Sequence, residues 1–165
     1  MTSKGDAPKT IEALDADVLR ARRSVILAKR RARKLAKPLY INTKAAWQGG
    51  VAGLAYVSAS LGDRTALVAC GGQTEAEHHA LLMAMVDAEE CELPGNIEFR
   101  LDSGTLADLD AGRTPELVEL RKRVIDMLAR HPAWRLEWVE RRRNWIASAP
   151  ARRTLSQWEN HADGS

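Results

Sequence analysis

The chain has 165 residues, 45% of them apolar, enough for one domain with an ordinary core plus an appendage. No stretch approaches the apolar length that spans a bilayer, the start lacks the apolar region of a signal peptide, and Cys70 and Cys91 lack metal-ligand spacing. A reducing, cytoplasmic setting and no membrane partner are therefore expected.

The net charge of +3 conceals an asymmetry. Residues 1–38 carry eleven basic and four acidic side chains, whereas residues 39–150 carry twelve and sixteen. Nine basic residues, with no acid among them, fall between Arg20 and Lys37.

Residues 1–9 are small, polar and charged, and read as a disordered start. Residues 10–37 read as a basic amphipathic helix ended by Pro38. Ile11, Leu14, Val18, Ala21, Val25, Ala28, Ala32 and Leu35 recur at alternating steps of three and four, a heptad seam suited to a partner helix, a homo-oligomer or the chain's own domain. Its other face carries Arg20, Arg22, Arg23, Lys29, Arg30, Arg31, Arg33 and Lys34. These suit sequence-independent phosphate contacts. The alternative is a solvated face, although ion pairs at helical spacing are missing there.

Residues 38–150 read as an α/β domain. Leu39–Trp47 is a strand, Gly49-Gly50 a hairpin turn, Val51–Ala59 a second strand, and Arg64–Cys70 a third after Gly62-Asp63. Thr74–Glu90 is a helix, residues 96–101 a strand, and Leu106–Asp110 a short helical stretch. Thr114-Pro115 opens a helix to Arg130, and Trp134–Trp138 alternates as a fifth strand. Residues 151–165 are left as a tail with a short helix over Thr154–His161.

Three segments carry candidate chemistry. Glu77, in Thr74–Leu82, is either an inward carboxylate or the far end of a Thr74-x-x-Glu77 capping box. Asp102 ends an apolar strand at Asp102-Ser103, where a turn-starting aspartate is the plainer reading. Arg141, Arg142 and Arg143 precede Asn144; guanidinium forks match phosphate oxygens, although a solvated basic turn has the same composition. His78 and His79 are adjacent on a helix and cannot both face one site, which favours helix surface or partial burial over metal ligation.

In order and spacing, Glu77, Asp102 and the segment Trp138–Ser148 resemble the ribonuclease H-like family, in its type 1 branch. The resemblance covers roughly residues 39–150 and implies a five-stranded mixed sheet flanked by helices, preceded here by the long basic helix. It also implies two-metal phosphodiester hydrolysis by four converging acids. Those four positions read Asn42, Glu77, Asp102 and Ser148, two acids where the family has four. Asp163 could substitute only if the last helix folded back.

The expectation is a catalytically degenerate domain that binds an RNA–DNA hybrid or structured RNA or DNA. Affinity would come from the basic helix and the Arg141–Asn144 loop, and Glu77 and Asp102 would hold at most one weakly bound Mg²⁺ or Mn²⁺. The alternatives are an active metal-dependent ribonuclease H, and a scaffold subunit that uses the heptad helix in a larger complex.

Overall fold

The computed structural model describes residues 24–25, 37–102 and 114–164. The chain divides into two units, Met1–Lys37 and Pro38–Ser165. In the first, Ser24 and Val25 are helical and exposed. The rest of the expected basic helix, with the remainder of its heptad seam and its arginine face, lies outside the described residues, as does the expected Leu106–Asp110 helix.

The second unit opens with three antiparallel strands, β1 (Leu39–Gln48), β2 (Val51–Ser58) and β3 (Gly62–Ala69). Gly49 and Gly50 both take positive φ, 58° and 87°, which a two-residue turn with the right twist requires and a side chain resists. The next turn is held by Ser58, whose Oγ accepts from the Ser60 and Leu61 amides at 3.2 and 3.1 Å.

Helix α1 (Gln73–Glu90) follows, then β4 (Ile97–Leu101), α2 (Pro115–Arg130), β5 (Trp134–Trp138), a 3₁₀ turn (Arg141–Asn144) and α3 (Trp145–Asp163). The sheet order is β3-β2-β1-β4-β5, with β4 parallel to both β1 and β5. Parallel neighbours need a crossover, and α1 and α2 supply the two crossovers here.

Both helices lie on one face of the sheet. Ile41, Leu81, Met85, Phe99, Leu101 and Val124 form the centre of the core between them. Helix α1 is wedged between sheet and α2, so its buried positions run nearly round it, from Ala76 to Ala88. Helix α2 shows the single stripe of an outer helix: Leu117, Leu120, Val124 and Met127. Its N-cap matches the expectation, with Thr114 Oγ1 accepting from the Leu117 amide at 3.2 Å and proline next in line.

The opposite face is covered by α3, which packs on β1 and β2 through Ala147, Ala151 and Leu155. Gly53 makes this approach possible. A Cβ there would collide with the Ala151 carbonyl and lie 2.8 Å from the Leu155 amide.

Two sequence expectations require correction. The final helix runs from Trp145 through Pro150 to Asp163, so residues 151–163 continue an element that begins in the preceding segment rather than starting a separate short helix at Thr154. Proline at 150 removes only one helical donor near the start, and burial of Ala147, Ala151 and Leu155 outweighs that loss. Helix α1 begins at Gln73 with Gly72 as N-cap and no side-chain cap, so Thr74 caps nothing. Among the described residues no helix is long and apolar enough to cross a membrane.

Candidate functional site

The parallel pairing of β1 and β4 sets Asn42 opposite Arg100. Two residues further along each strand, the same offset brings Lys44 beside Asp102 at the edge of the sheet. Alternation puts Tyr40, Asn42 and Lys44 on one face of β1, while Ile41 and Ala45 point into the core under α1.

Helix α1 delivers Glu77 to the same place. Its Oε1 accepts from Lys44 Nζ at 2.8 Å and from Gln73 Nε2 at 2.7 Å, and its Oε2 from the Ala45 amide at 3.2 Å. Glu77 is 1% exposed and therefore an inward carboxylate; the capping-box reading fails. The carboxylate that reaches back past the helix start is Glu75, which accepts from the Gly71 amide at 2.9 Å. Gln73 clamps the strand end further, donating to the Ala45 carbonyl at 2.8 Å and accepting from the Trp47 amide at 3.0 Å.

Lys44 is the centre of this arrangement. Its ammonium also donates to Asp102 Oδ1 at 2.6 Å, and side-chain exposures of 11% for Lys44 and 2% for each acid leave little water to screen the three charges. Burial acts to discharge Lys44, but Glu77 and Asp102 outweigh it and hold the amine protonated beyond its ordinary range. Burial also pushes the Glu77 carboxyl up, against the pull of Lys44 and Gln73. The protonated lysine is the firmer of the two directions, because two carboxylates face one ammonium.

Asn42, assigned by resemblance to the first-strand acid position, is not the residue that meets Glu77 and Asp102. It lies two residues, about 7 Å, back along β1. Its Nδ2 donates to Asn144 Oδ1 at 3.0 Å, and Asn144 Nδ2 donates to the Thr43 carbonyl at 2.9 Å. Asn144 is 0% exposed with both side-chain ends bonded. It anchors the start of α3 to β1 and cannot serve as the nucleic-acid contact expected of it. Ser148 donates its hydroxyl to the Asn144 carbonyl at 3.1 Å, a bond within the helix rather than to the acids. Asp163 lies fifteen helical residues beyond Ser148, roughly 22 Å along the axis, too far to substitute.

Arg141, Arg142 and Arg143 are all exposed on the 3₁₀ turn, with Arg142 paired to Glu140. A groove of about 670 Å³ opens beside the cluster, and Arg141 and Arg152 line it together with Trp47 and Glu159. Lys44, Arg141 and Arg152 balance Glu77, Asp102 and Glu159, so the groove has no excess positive charge. His78 is buried against α2: its Nδ1 pairs with the Thr74 carbonyl at 2.7 Å and its Nε2 with Arg121 Nε at 3.4 Å. Burial, with Arg121 beside it, lowers the His78 pKa, and the ring packs as a neutral group.

These residues do not fit two divalent ions. Mg²⁺ needs near-octahedral oxygen donors at about 2.0–2.1 Å. Here two carboxylates share an ammonium, the two asparagines are bonded to each other and to Thr43, and Ser148 is bonded back into its helix. Only Asp102 Oδ2 is buried without a hydrogen-bond partner among the described residues of the cluster. No group of three or more His, Cys, Asp or Glu among the described residues is placed to hold a metal.

The strand order, the carboxylate on α1 and the aspartate after β4 define an RNase H-like domain. The chain belongs to the family described as Reverse transcriptase-like, which matches residues 44–154 and is RNase H-like. RNase H1 of the halophilic archaeon Halobacterium salinarum is similar at 23% identity, covering 73% of this chain and 99% of its own, with a TM-score of 0.61. The N-terminal RNase H domain of a Mycobacterium tuberculosis protein, determined as a maltose-binding-protein fusion, is 19% identical over 72% of this chain and 98% of its own, with a TM-score of 0.62. A compost-derived RNase H1 in complex with an RNA/DNA hybrid is 16% identical over 72% and 97%, with a TM-score of 0.61. At these identities the likeness shows the fold alone. Among curated proteins none matches the chain.

Sequence reasoning missed Lys44 and Gln73. The alternation Tyr40, Asn42, Lys44 was the available signal for Lys44, because it puts a lysine on the face that ends at the acids. Gln73 carried none, since its role depends on where α1 starts.

Proposed function

We propose that this protein binds nucleic acid on an RNase H-like domain and does not hydrolyse it. The observation that carries this reading is that, among the described residues, two carboxylates converge, Glu77 and Asp102, with a protonated lysine between them. Phosphodiester hydrolysis on this fold requires charge enough to hold two ions, and one ammonium already offsets half of the charge present.

A relative of the same fold has been determined with an RNA/DNA hybrid, which favours a hybrid as the first ligand to test. The balanced groove contributes shape rather than net attraction. Attraction for phosphate then comes from the exposed Arg141, Arg142 and Arg143 and from the nine basic residues between Arg20 and Lys37. The bound strands rest at the site without a nucleophilic water being generated.

The test is an end-labelled RNA–DNA hybrid incubated in Mg²⁺ and then Mn²⁺, with cleavage and gel retention scored together. Retention that weakens steeply with salt, without cleavage, is expected. One observation favours a second reading, an active but slow hydrolase: Asp102 Oδ2 is buried with no hydrogen-bond partner among the described residues, which leaves a carboxylate oxygen for a cation. Cleavage that Glu77→Gln abolishes would establish that reading instead. Neither retention nor cleavage would move the weight to a scaffold role.

A further inference from the structure

We infer that Lys44 is a tethered cation which occupies the cluster in place of a divalent ion and keeps one from binding. The inference concerns the ion alone and does not rest on nucleic-acid binding.

The argument is first one of space. Lys44 Nζ lies 2.8 Å from Glu77 Oε1 and 2.6 Å from Asp102 Oδ1. An ion bridging the same two oxygens would need the volume that the ammonium fills. Lys44 enters from β1, whose neighbours Thr43 and Ala45 are buried in the sheet, so its backbone cannot retreat. Displacing the ammonium would require the side chain to swing out and leave its bonds to both acids.

The second argument is charge. Two carboxylates and one ammonium leave a net of −1 at the cluster, where the same carboxylates alone would present −2. A divalent ion arriving beside the ammonium would meet repulsion in a setting that water hardly screens. Gln73 and the Ala45 amide complete the hydrogen bonding of Glu77, so that carboxylate is already satisfied. Asp102 is the unfinished partner, with Oδ2 buried and unbonded among the described residues. Removing the lysine charge while keeping the two acids would therefore create a site for one ion, built from Glu77 and Asp102. It would not supply a second ion, because Ser148 is no carboxylate.

The experiment uses the full chain and Mn²⁺ as the only ligand, with binding read from the loss of the free-ion electron paramagnetic resonance signal. Wild type, Lys44→Gln and Lys44→Asp are compared, and thermal melts report whether each variant is folded. The expected result is no site on wild type that depends on Glu77, and Mn²⁺ binding on the variants tighter by about tenfold or more. Wild-type binding of one Mn²⁺ that Glu77→Gln removes would overturn the inference. So would folded variants that bind Mn²⁺ no better than wild type. If neither variant folds, wild-type protein with ¹⁵N-labelled lysine decides. A slowly exchanging Lys44 ammonium signal that Mg²⁺ leaves in place supports the tethered cation, and its loss on adding Mg²⁺ refutes it.

Discussion

Lys44 commits two of its three N–H donors to buried carboxylates, and the two acids share that ammonium as their counter-charge. Truncating one partner of such a group leaves uncompensated charge in a poorly solvated place. Lys44→Met should therefore lower stability by about 3–5 kcal/mol, read from a denaturant midpoint at neutral pH. The penalty has a pH signature. The folded pKa of Lys44 is raised above its unfolded value of about 10.4, so the stabilisation is complete below that pH and is lost as pH rises through the raised value. The stability gap between wild type and Lys44→Met should narrow in that alkaline window. A gap that stays constant would mean the ion pair contributes little. Asn144 makes a second residue-scale case. Asn144→Ala would leave the Thr43 carbonyl and Asn42 Nδ2 without partners, at a cost of about 1–3 kcal/mol, measurable in the same way.

At the scale of elements, α3 is the component most exposed to a single change. Gly53 on β2 lets the helix backbone rest directly on the strand, with the Ala151 carbonyl and the Leu155 amide where a Cβ would go. Gly53→Ala should displace α3 and cost about 1–3 kcal/mol or more, because the obstructing atoms are backbone and cannot rotate away. Amide exchange should be fastest in α3 of that variant while α1 and β4 stay protected; uniform protection would show that the strand, not the helix, gives way. The sequence did not disclose this approach. One glycine in a strand of small residues is compatible with a bulge, a bend or a close approach. The helix itself was misread for a related reason. Only Thr154–His161 was expected to be helical, whereas Ala147, Ala151 and Leu155 are buried together only in a helix that starts at Trp145.

For the whole molecule, the charge distribution sets the expected behaviour. The groove beside Lys44 carries as many acids as bases, whereas residues 1–38 hold eleven bases against four acids. Replacing Arg30, Arg31 and Arg33 by glutamine in the full chain should therefore reduce the salt dependence of hybrid retention. The slope of log affinity against log salt should become shallower by about 0.7–0.9 for each phosphate that is no longer neutralised. An unchanged slope would assign the attraction to the Arg141–Arg143 turn instead.

The sequence alone determined the five strands, the two crossover helices and the Gly49-Gly50 turn. These depend on local alternation, helical spacing and turn chemistry, which act over a few residues. It also separated Glu77 and Asp102 from the other acids, through their order along a family resemblance. The tertiary structure decided what stands between them. The parallel register of β1 and β4 shifts the relevant residue from Asn42 to Lys44, and strand pairing between segments nearly sixty residues apart is not written in the spacing of either one. An acid pair that suggested a depleted metal site thereby became a buried ion cluster, because a third charge arrived from a strand whose partner only the fold selects.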